Sequence, residues 1–269
     1  MTFLDASTAT DLEPAGVVLA EVVRRAVGCG AEIMVVGAAA RDILIQHVVG
    51  SSPERATADI DIAVAVSSWR DVDCLTGGLD KTRGGVHTFM VGGIEVDIIP
   101  FGAIESEERT VVWSNDHVMS VLGFKEALAT AVHVKLPSGV TVAVASLPAQ
   151  SLLKLFAWRD RRYEHRRDAI DLRRILRAYH EGPYLEELYS DHEPLLVKHD
   201  FDPLLAGAER LGCEANAVIG PSNRTAVTDV LFLEERFNAL AADMGWGIAD
   251  NLALLSAYRN GFTETLRRL

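Results

Sequence analysis

The chain has 269 residues, of which 49% are hydrophobic and 24% charged, as in folded globular proteins rather than disordered ones. Its formal net charge of −12 argues against broad, sequence-independent binding to nucleic acid. No apolar run reaches the length of a membrane span, and the first residues lack the features of a secretory signal. Cys29, Cys74 and Cys213 are interpreted as reduced, unpaired thiols, and a cytoplasmic location is therefore expected.

The first elements form a helix–strand–helix unit. Apolar residues at helical spacing predict a helix over Glu13–Val27, which a glycine-containing segment ends. Glu32–Val36 is predicted to be a short buried strand, and Gly37 leads directly from it into a helix that reaches about Val48. A strand, a glycine turn and the start of a helix together offer backbone N–H groups to a phosphate.

The next segment, Thr57–Val66, carries the first candidate metal ligands. It is almost continuously apolar and β-branched, which predicts a buried strand that contains two acids, Asp59 and Asp61. Because these acids are two positions apart, their side chains project from the same face. Paired carboxylates suit a hard cation such as Mg²⁺. The alternative is an edge strand whose polar face meets solvent.

A third acid follows on a β-hairpin. After a short helix beginning at Trp69, the strands Val86–Val91 and Ile94–Ile99 are joined by Gly92 and Gly93, a pairing typical of a tight hairpin. Asp97 lies on the second strand and shares a face with Glu95, which is interpreted as an ordinary strand carboxylate. A second acid-bearing strand that can lie beside the first, after a strand–glycine–helix unit, makes a constellation of candidate site residues.

The remainder divides near residue 146. Another hairpin spans His133–Val144, and after Ser146 the pattern is helical, so the expected domains are residues 1–145 and 146–269. Leu152, Leu153 and Phe156 of the first helix are expected to pack against Ile170, Ile175 and Leu176 of the second. Further predicted helices are Leu185–Tyr189, Pro203–Leu211, Ala226–Met244 and Ala249–Leu266.

A local excess of positive charge lies in the first two of these helices. From Ser151 to His180 there are nine Lys/Arg against four Asp/Glu. A basic segment in an acidic protein suits a phosphate-bearing ligand, although a solvated helix face crossed by ion pairs fits equally well. The eight histidines show none of the spacings typical of a zinc site.

These motifs resemble the nucleotidyltransferase superfamily typified by DNA polymerase β. The resemblance lies in the glycine after a strand, Asp59-Ile60-Asp61, and a later strand acid, Asp97. Within the superfamily the chain is most similar to AbiEii-type toxins, on Lys154 and the later segment Arg167-Asp168-Ala169-Ile170-Asp171-Leu172. Gly37–Asp42 is also similar to the opening motif of tRNA CCA-adding enzymes, whose Arg-rich neck motifs are not evident here.

The resemblance implies an α+β fold: a polymerase β-like domain with a mixed sheet and flanking helices, followed by an all-helical domain. It implies two Mg²⁺ ions held by Asp59, Asp61 and Asp97, which are also the catalytic residues. The nucleoside triphosphate is the substrate. It would be bound by Gly37, Ala38, Arg41, Lys154 and Asp171. Ala38 departs from the family pattern, where Gly or Ser is usual, and so does the 22-position gap between Gly37 and Asp59.

The implied reaction moves a nucleoside monophosphate to an acceptor hydroxyl, with the 3′ end of a tRNA as the first acceptor and a cognate antitoxin as partner. A small molecule such as an aminoglycoside, or a protein side chain, is the alternative acceptor. A third reading, favoured by Ala38, is a nucleotide- or partner-binding module without turnover.

Overall fold

The computed structural model describes residues 2–50, 59–82, 85–220 and 223–267. Thr57 and Ala58, the predicted start of the first acid-bearing strand, lie outside this part. The chain divides into two compact units after Ser146, and the short segment that begins at Leu44 belongs with the second unit. That these units are independent domains stays a prediction.

The first unit is built on a mixed sheet. Within the described residues its strands are β1 (Phe3–Asp5), β2 (Glu32–Val36), β3 (Asp59–Val66), β4 (Asp80–Lys81), β5 (Thr88–Val91), β6 (Ile94–Gly102), β9 (Val132–Lys135) and β10 (Thr141–Val144). They are arranged in the order β1-β9-β10-β2-β3-β6-β5-β4. A separate pair, β7 (Thr110–Val112) and β8 (Val118–Ser120), forms a small antiparallel sheet. The protein is therefore of mixed α/β type, with a mixed sheet as the sequence predicted.

Helix α1 (Glu13–Gly28) contacts the central strand β2, and helix α3 (Trp69–Thr76) contacts the central strand β3. The two helices also contact each other. The helix α2 (Gly37–Leu44) continues directly from β2 and runs into a π-helical turn over Ile45–Val49, and α4 (Phe124–Ala129) precedes β9. On β3 the burial alternates: Ile60, Ile62 and Val64 are at most 4% exposed, whereas Asp59 and Asp61 are not buried. The apolar face is thus packed, and the opposite face is accessible at Asp59 and Asp61 but buried at Ala63.

The second unit is helical in the part of the chain that the structure describes. Its helices are α5 (Leu147–Arg161), α6 (Arg167–Ala178), α7 (Pro183–Ser190), α8 (Glu193–Lys198), α9 (Pro203–Val218), α10 (Arg224–Leu231), α11 (Glu234–Asp243) and α12 (Ile248–Arg267). Leu152, Phe156, Ile175 and Leu176 are buried where α5 contacts α6. The prediction that Ile170 joins them is wrong, because its side chain points to solvent and is 49% exposed.

Two further predictions of local structure are corrected. The single helix expected over Ala226–Met244 is interrupted, because Leu233 is extended (φ −91°, ψ 113°) and starts α11 afresh. No glycine or proline marks this interruption, so the sequence carried no signal for it. The strands β1, β7 and β8 and the helices α4 and α8 were also not predicted; each has only three to six residues, too few to show a period.

The prediction of three unpaired cysteines is wrong for two of them. Cys29 and Cys74 form a disulfide across 45 positions of sequence, with their Cα atoms 6.0 Å apart, and Cys213 is not part of a disulfide. The pairing arises because α1 and α3 pack together, a contact that spacing in sequence does not reveal. The predicted cytoplasmic location thereby loses the support of the cysteines. None of the helices that the structure describes combines the length and apolarity needed to cross a bilayer.

Candidate active site

Two neighbouring strands bring the predicted acids to one face of the sheet. Asp61 lies opposite Val36 of β2 on one side and opposite Asp97 of β6 on the other. Because β3 and β6 are parallel and in register, the Asp61 and Asp97 side chains project from the same face. Asp59, two positions earlier, lies opposite Glu95 on that face. The result is a two-by-two array of carboxylates, in which Glu95 is the fourth member.

Gly37 borders this array on the side of β2. It follows Val36 directly and adopts a left-handed backbone conformation with φ +65°, which favours glycine. A Cβ atom built at this position would overlap the Asp61 carboxylate. The close approach brings the first turn of α2, whose backbone N–H groups have no partner within a helix, beside the acid. Ala38 lies in that turn and contributes no hydroxyl.

The carboxylates differ in exposure: Asp59 is exposed, whereas Asp61 and Asp97 are partly buried. Within the residues that the structure describes, no three acidic, histidine or cysteine side chains are grouped closely enough to hold a metal ion. Asp59, Asp61 and Asp97 nevertheless suit Mg²⁺ chemically, because they offer oxygen ligands on one face of the sheet, and Gly37 leaves the space that the Asp61 carboxylate occupies. Asp59, Asp61 and Asp97 as metal ligands stay a prediction.

Arg41, one turn into α2, is 4% exposed and forms a buried ion pair with Asp42, at 2.7 Å between Nη2 and Oδ1. A buried pair of this kind gives Arg41 a structural role within the fold. A role in phosphate binding stays a prediction.

Lys154 and Asp171, the remaining predicted site residues, lie in the second unit on α5 and α6. The Lys154 ammonium is 2.7 Å from Asp171 and 3.1 Å from Asp168, which Arg161 also contacts at 2.8 Å. Burial by itself raises the pKa of Asp168, but hydrogen bonds and charge from Arg161 and Lys154 outweigh it and hold that pKa below its usual value. Asp168 is 2% exposed and was not among the predicted site residues.

Next to Asp97 lies a group of rings that sequence reasoning did not find. His87 Nε2 is 3.7 Å from Asp97 Oδ2, and the His87 ring neighbours Trp113 and His117. Trp69 in turn packs against Trp113. We call Trp69, His87, Trp113 and His117 the aromatic cluster. Its members come from three separate loops or helix ends, so no spacing in the sequence relates them.

Burial lowers the pKa of His87; the Asp97 carboxylate opposes this shift and His117 adds to it. The His87 imidazole is therefore harder to protonate than a solvent-exposed one.

Comparison with known proteins gives weak likenesses. No protein-family model matches the chain, and no curated protein matches it. Among solved structures it is similar to the antibiotic-resistance factor ANT(2'')-Ia, with 13% identity, a TM-score of 0.38, and coverage of 69% of this chain and 96% of that one. It is also similar to the Thermotoga maritima CCA-adding enzyme in complex with tRNA, with 13% identity, a TM-score of 0.21, and coverage of 92% and 84%. Likenesses at these values carry no conclusion about function.

Proposed function

We propose that this protein is a Mg²⁺-dependent nucleotidyltransferase, which moves a nucleoside monophosphate from a nucleoside triphosphate to an acceptor hydroxyl. The observation that carries the proposal is the direct opposition of Asp61 and Asp97 on parallel neighbouring strands, with Asp59 two positions earlier. Carboxylates placed side by side repel each other unless a cation is shared between them. The superfamily that the sequence resembles, with the AbiEii-type toxins within it, uses such a triad.

Asp59, Asp61 and Asp97 would hold the metal. Bound Mg²⁺ supplies charge neutralisation at the phosphates, which phosphoryl transfer needs more than it needs covalent help.

The remaining roles belong to the chain itself. The backbone N–H groups that follow Gly37 and Ala38 bind the phosphates. That Lys154, which is paired with Asp171 and Asp168, adds a positive charge to the phosphates stays a prediction. The acceptor oxygen forms a bond to the α-phosphorus while the bond to the bridging oxygen breaks and pyrophosphate leaves. Asp97 accepts the hydroxyl proton.

For the acceptor we propose the 3′ end of an RNA such as a tRNA, in a toxin that a cognate antitoxin neutralises. This acceptor is supported by the basic segment between Ser151 and His180. A cationic small molecule such as an aminoglycoside is the second candidate, and the net charge of −12 favours it. A binding module without turnover is the third, favoured by Ala38.

The test is transfer of label. The purified protein is incubated with each labelled triphosphate, Mg²⁺, and either total tRNA or an aminoglycoside mixture. Asp61→Asn and Asp97→Asn are expected to abolish transfer, whereas Asp80→Asn, an exposed carboxylate on the edge strand β4, leaves it unchanged. Label on RNA supports the first acceptor, and label on the small molecule supports the second. Transfer that survives in Asp61→Asn and Asp97→Asn contradicts the proposed site. Nucleotide binding without any transfer leaves only the binding module.

The toxin role is tested separately, by growth arrest on expression that co-expression of the neighbouring gene relieves.

A further inference from the structure

The aromatic cluster forms a continuous surface that begins at Asp97. Trp69 and Trp113 have ring centroids 5.3 Å apart at 64°, and Trp113 and His87 are 5.9 Å apart at 40°. His87 and His117 are 6.3 Å apart and nearly parallel, at 20°. All three separations fall within the range over which aromatic rings attract each other. The rings therefore support one another as a wall rather than as isolated side chains.

This wall combines accessible faces with an unused hydrogen-bond donor. Trp69 is 37% exposed and His117 is exposed, so ring surface is open to a ligand. Trp113 is only 8% exposed, and among the described residues its indole Nε1 and His87 Nδ1 have no hydrogen-bond partner. Buried polar atoms are nearly always paired in native proteins, so the cluster keeps hydrogen-bonding capacity that the described residues do not use.

The position of the wall decides which ligand it serves. In the proposed reaction the acceptor hydroxyl must reach Asp97, and His87 of the wall lies 3.7 Å from that carboxylate. Whatever carries the hydroxyl therefore extends over the aromatic cluster. The carboxylates beside Asp97 would match the cationic groups of an amino sugar, but an amino sugar has no planar face to stack on the rings. Two indoles and two imidazoles instead match a flat, uncharged ring.

We propose that the aromatic cluster is the acceptor subsite of this enzyme and binds an unpaired nucleobase, which stacks on the wall while its ribose hydroxyl faces Asp97. This inference rests on the proposed nucleotidyl transfer and names the acceptor class, RNA with an unpaired 3′ end. Stacking on aromatic side chains accepts any base, because every base has a π face, so the subsite predicts tolerance of the terminal base.

The kinetic test uses Trp69, which is partly exposed, so its truncation leaves the packed core intact. Trp69→Ala is expected to raise the KM for the RNA acceptor about tenfold or more, with kcat and the KM for the triphosphate unchanged. Trp69→Phe keeps a stacking ring and recovers most of the loss. Trp246→Ala, which removes a tryptophan 94% exposed elsewhere on the chain, is the matched control and is expected to behave as wild type. An acceptor KM for Trp69→Ala within about twofold of wild type overturns the subsite.

A binding test separates the subsite from the chemistry. A short single-stranded RNA with a 5′ dye and a free 3′ diol is expected to bind wild type and Asp97→Asn with equal affinity, measured by the anisotropy of the dye, and to bind Trp69→Ala about tenfold more weakly. Kanamycin A is expected not to displace this RNA from wild type. If RNA binding depends on Trp69 but nothing is transferred to any acceptor, the proposed reaction fails while the subsite stands. If transfer depends on Asp97 but RNA binds wild type and Trp69→Ala equally, or if kanamycin A displaces the RNA, the subsite fails while the reaction stands.

Discussion

At the scale of single residues, Gly37 does what no other residue can do at its position. It combines φ +65° with a space that the Asp61 carboxylate fills, so any side chain there both strains the backbone and displaces an acid of the proposed site. The glycine after the strand was read from the sequence as a phosphate-binding turn. Its contact with Asp61 became visible only when β2 and β3 were paired.

We therefore expect Gly37→Ala to reduce transfer about a hundredfold, because a displacement of about 1 Å at a reacting group costs that much. Gly78→Ala is the matched control. Gly78 has φ +76°, but an added Cβ would meet open space, so this variant introduces only backbone strain. Steady-state transfer assays, with circular dichroism to confirm folding, measure both. Equal activity in the two variants would contradict a role for the space beside Asp61.

Asp168 provides a second residue-scale prediction, on stability. Its pKa is lowered in the folded state, so the ionised carboxylate stabilises the fold fully at neutral pH. This stabilisation is lost as the pH falls from the unfolded-state pKa of about 3.9 through the lower folded-state pKa. Asp168→Asn breaks contacts with Lys154 and Arg161 and is expected to lower the free energy of unfolding by about 3 kcal/mol at pH 7.

Urea denaturation of wild type and Asp168→Asn is to be compared at pH 7 and at progressively lower pH. The difference should shrink as the pH falls through the lowered pKa of Asp168, because the wild-type carboxyl is then protonated. Asp160→Asn disrupts only a more exposed pair with Arg159 and should cost less than about 1 kcal/mol. A difference between wild type and Asp168→Asn that is the same at all of these pH values would mean that charge is not what Asp168 contributes.

At the scale of elements, the pairing of α1 with α3 is the feature that sequence reasoning missed. The two helices are joined by the Cys29–Cys74 disulfide, and the Arg25 guanidinium donates to the carbonyl of Gly77 at 2.9 Å. Neither contact has a local signature, because helices that are neighbours in space need not be neighbours in the chain. The two helices are thereby held together beside the strands that carry the acids.

Closing a loop of this length removes entropy from the unfolded chain, so Cys74→Ser is expected to lower the free energy of unfolding by about 4 kcal/mol under oxidising conditions. Adding a reductant should bring wild type down to the level of Cys74→Ser and leave that variant unchanged. Thermal and denaturant unfolding with and without reductant measure this. If the reductant does not change the free energy of unfolding of the wild type, the disulfide contributes little to stability.

At the scale of the whole molecule, charge and the proposed acceptor oppose each other. A net charge of −12 repels RNA, so an acceptor subsite made of rings rather than cations is the arrangement that such a chain can use. Long-range repulsion is screened by salt, whereas stacking is not.

The KM for an RNA acceptor is therefore expected to change less than about threefold between about 50 and about 300 mM KCl at constant free Mg²⁺. Steady-state kinetics across this range measure it. A hundredfold rise in KM would show that phosphate contacts dominate and that the basic segment of α5 and α6, not the aromatic cluster, holds the RNA.

The amino-acid sequence was enough to predict β2, β3, the β5–β6 hairpin and the acids on them. Alternation along a strand and a glycine pair at a turn are local properties of the sequence. It also predicted the change to helices after Ser146. Tertiary structure alone decided that Asp61 opposes Asp97, that Cys29 meets Cys74, and that Trp69, His87, Trp113 and His117 meet beside an acid. These are contacts between residues distant in sequence, and they depend on strand register and helix packing, which no local pattern specifies.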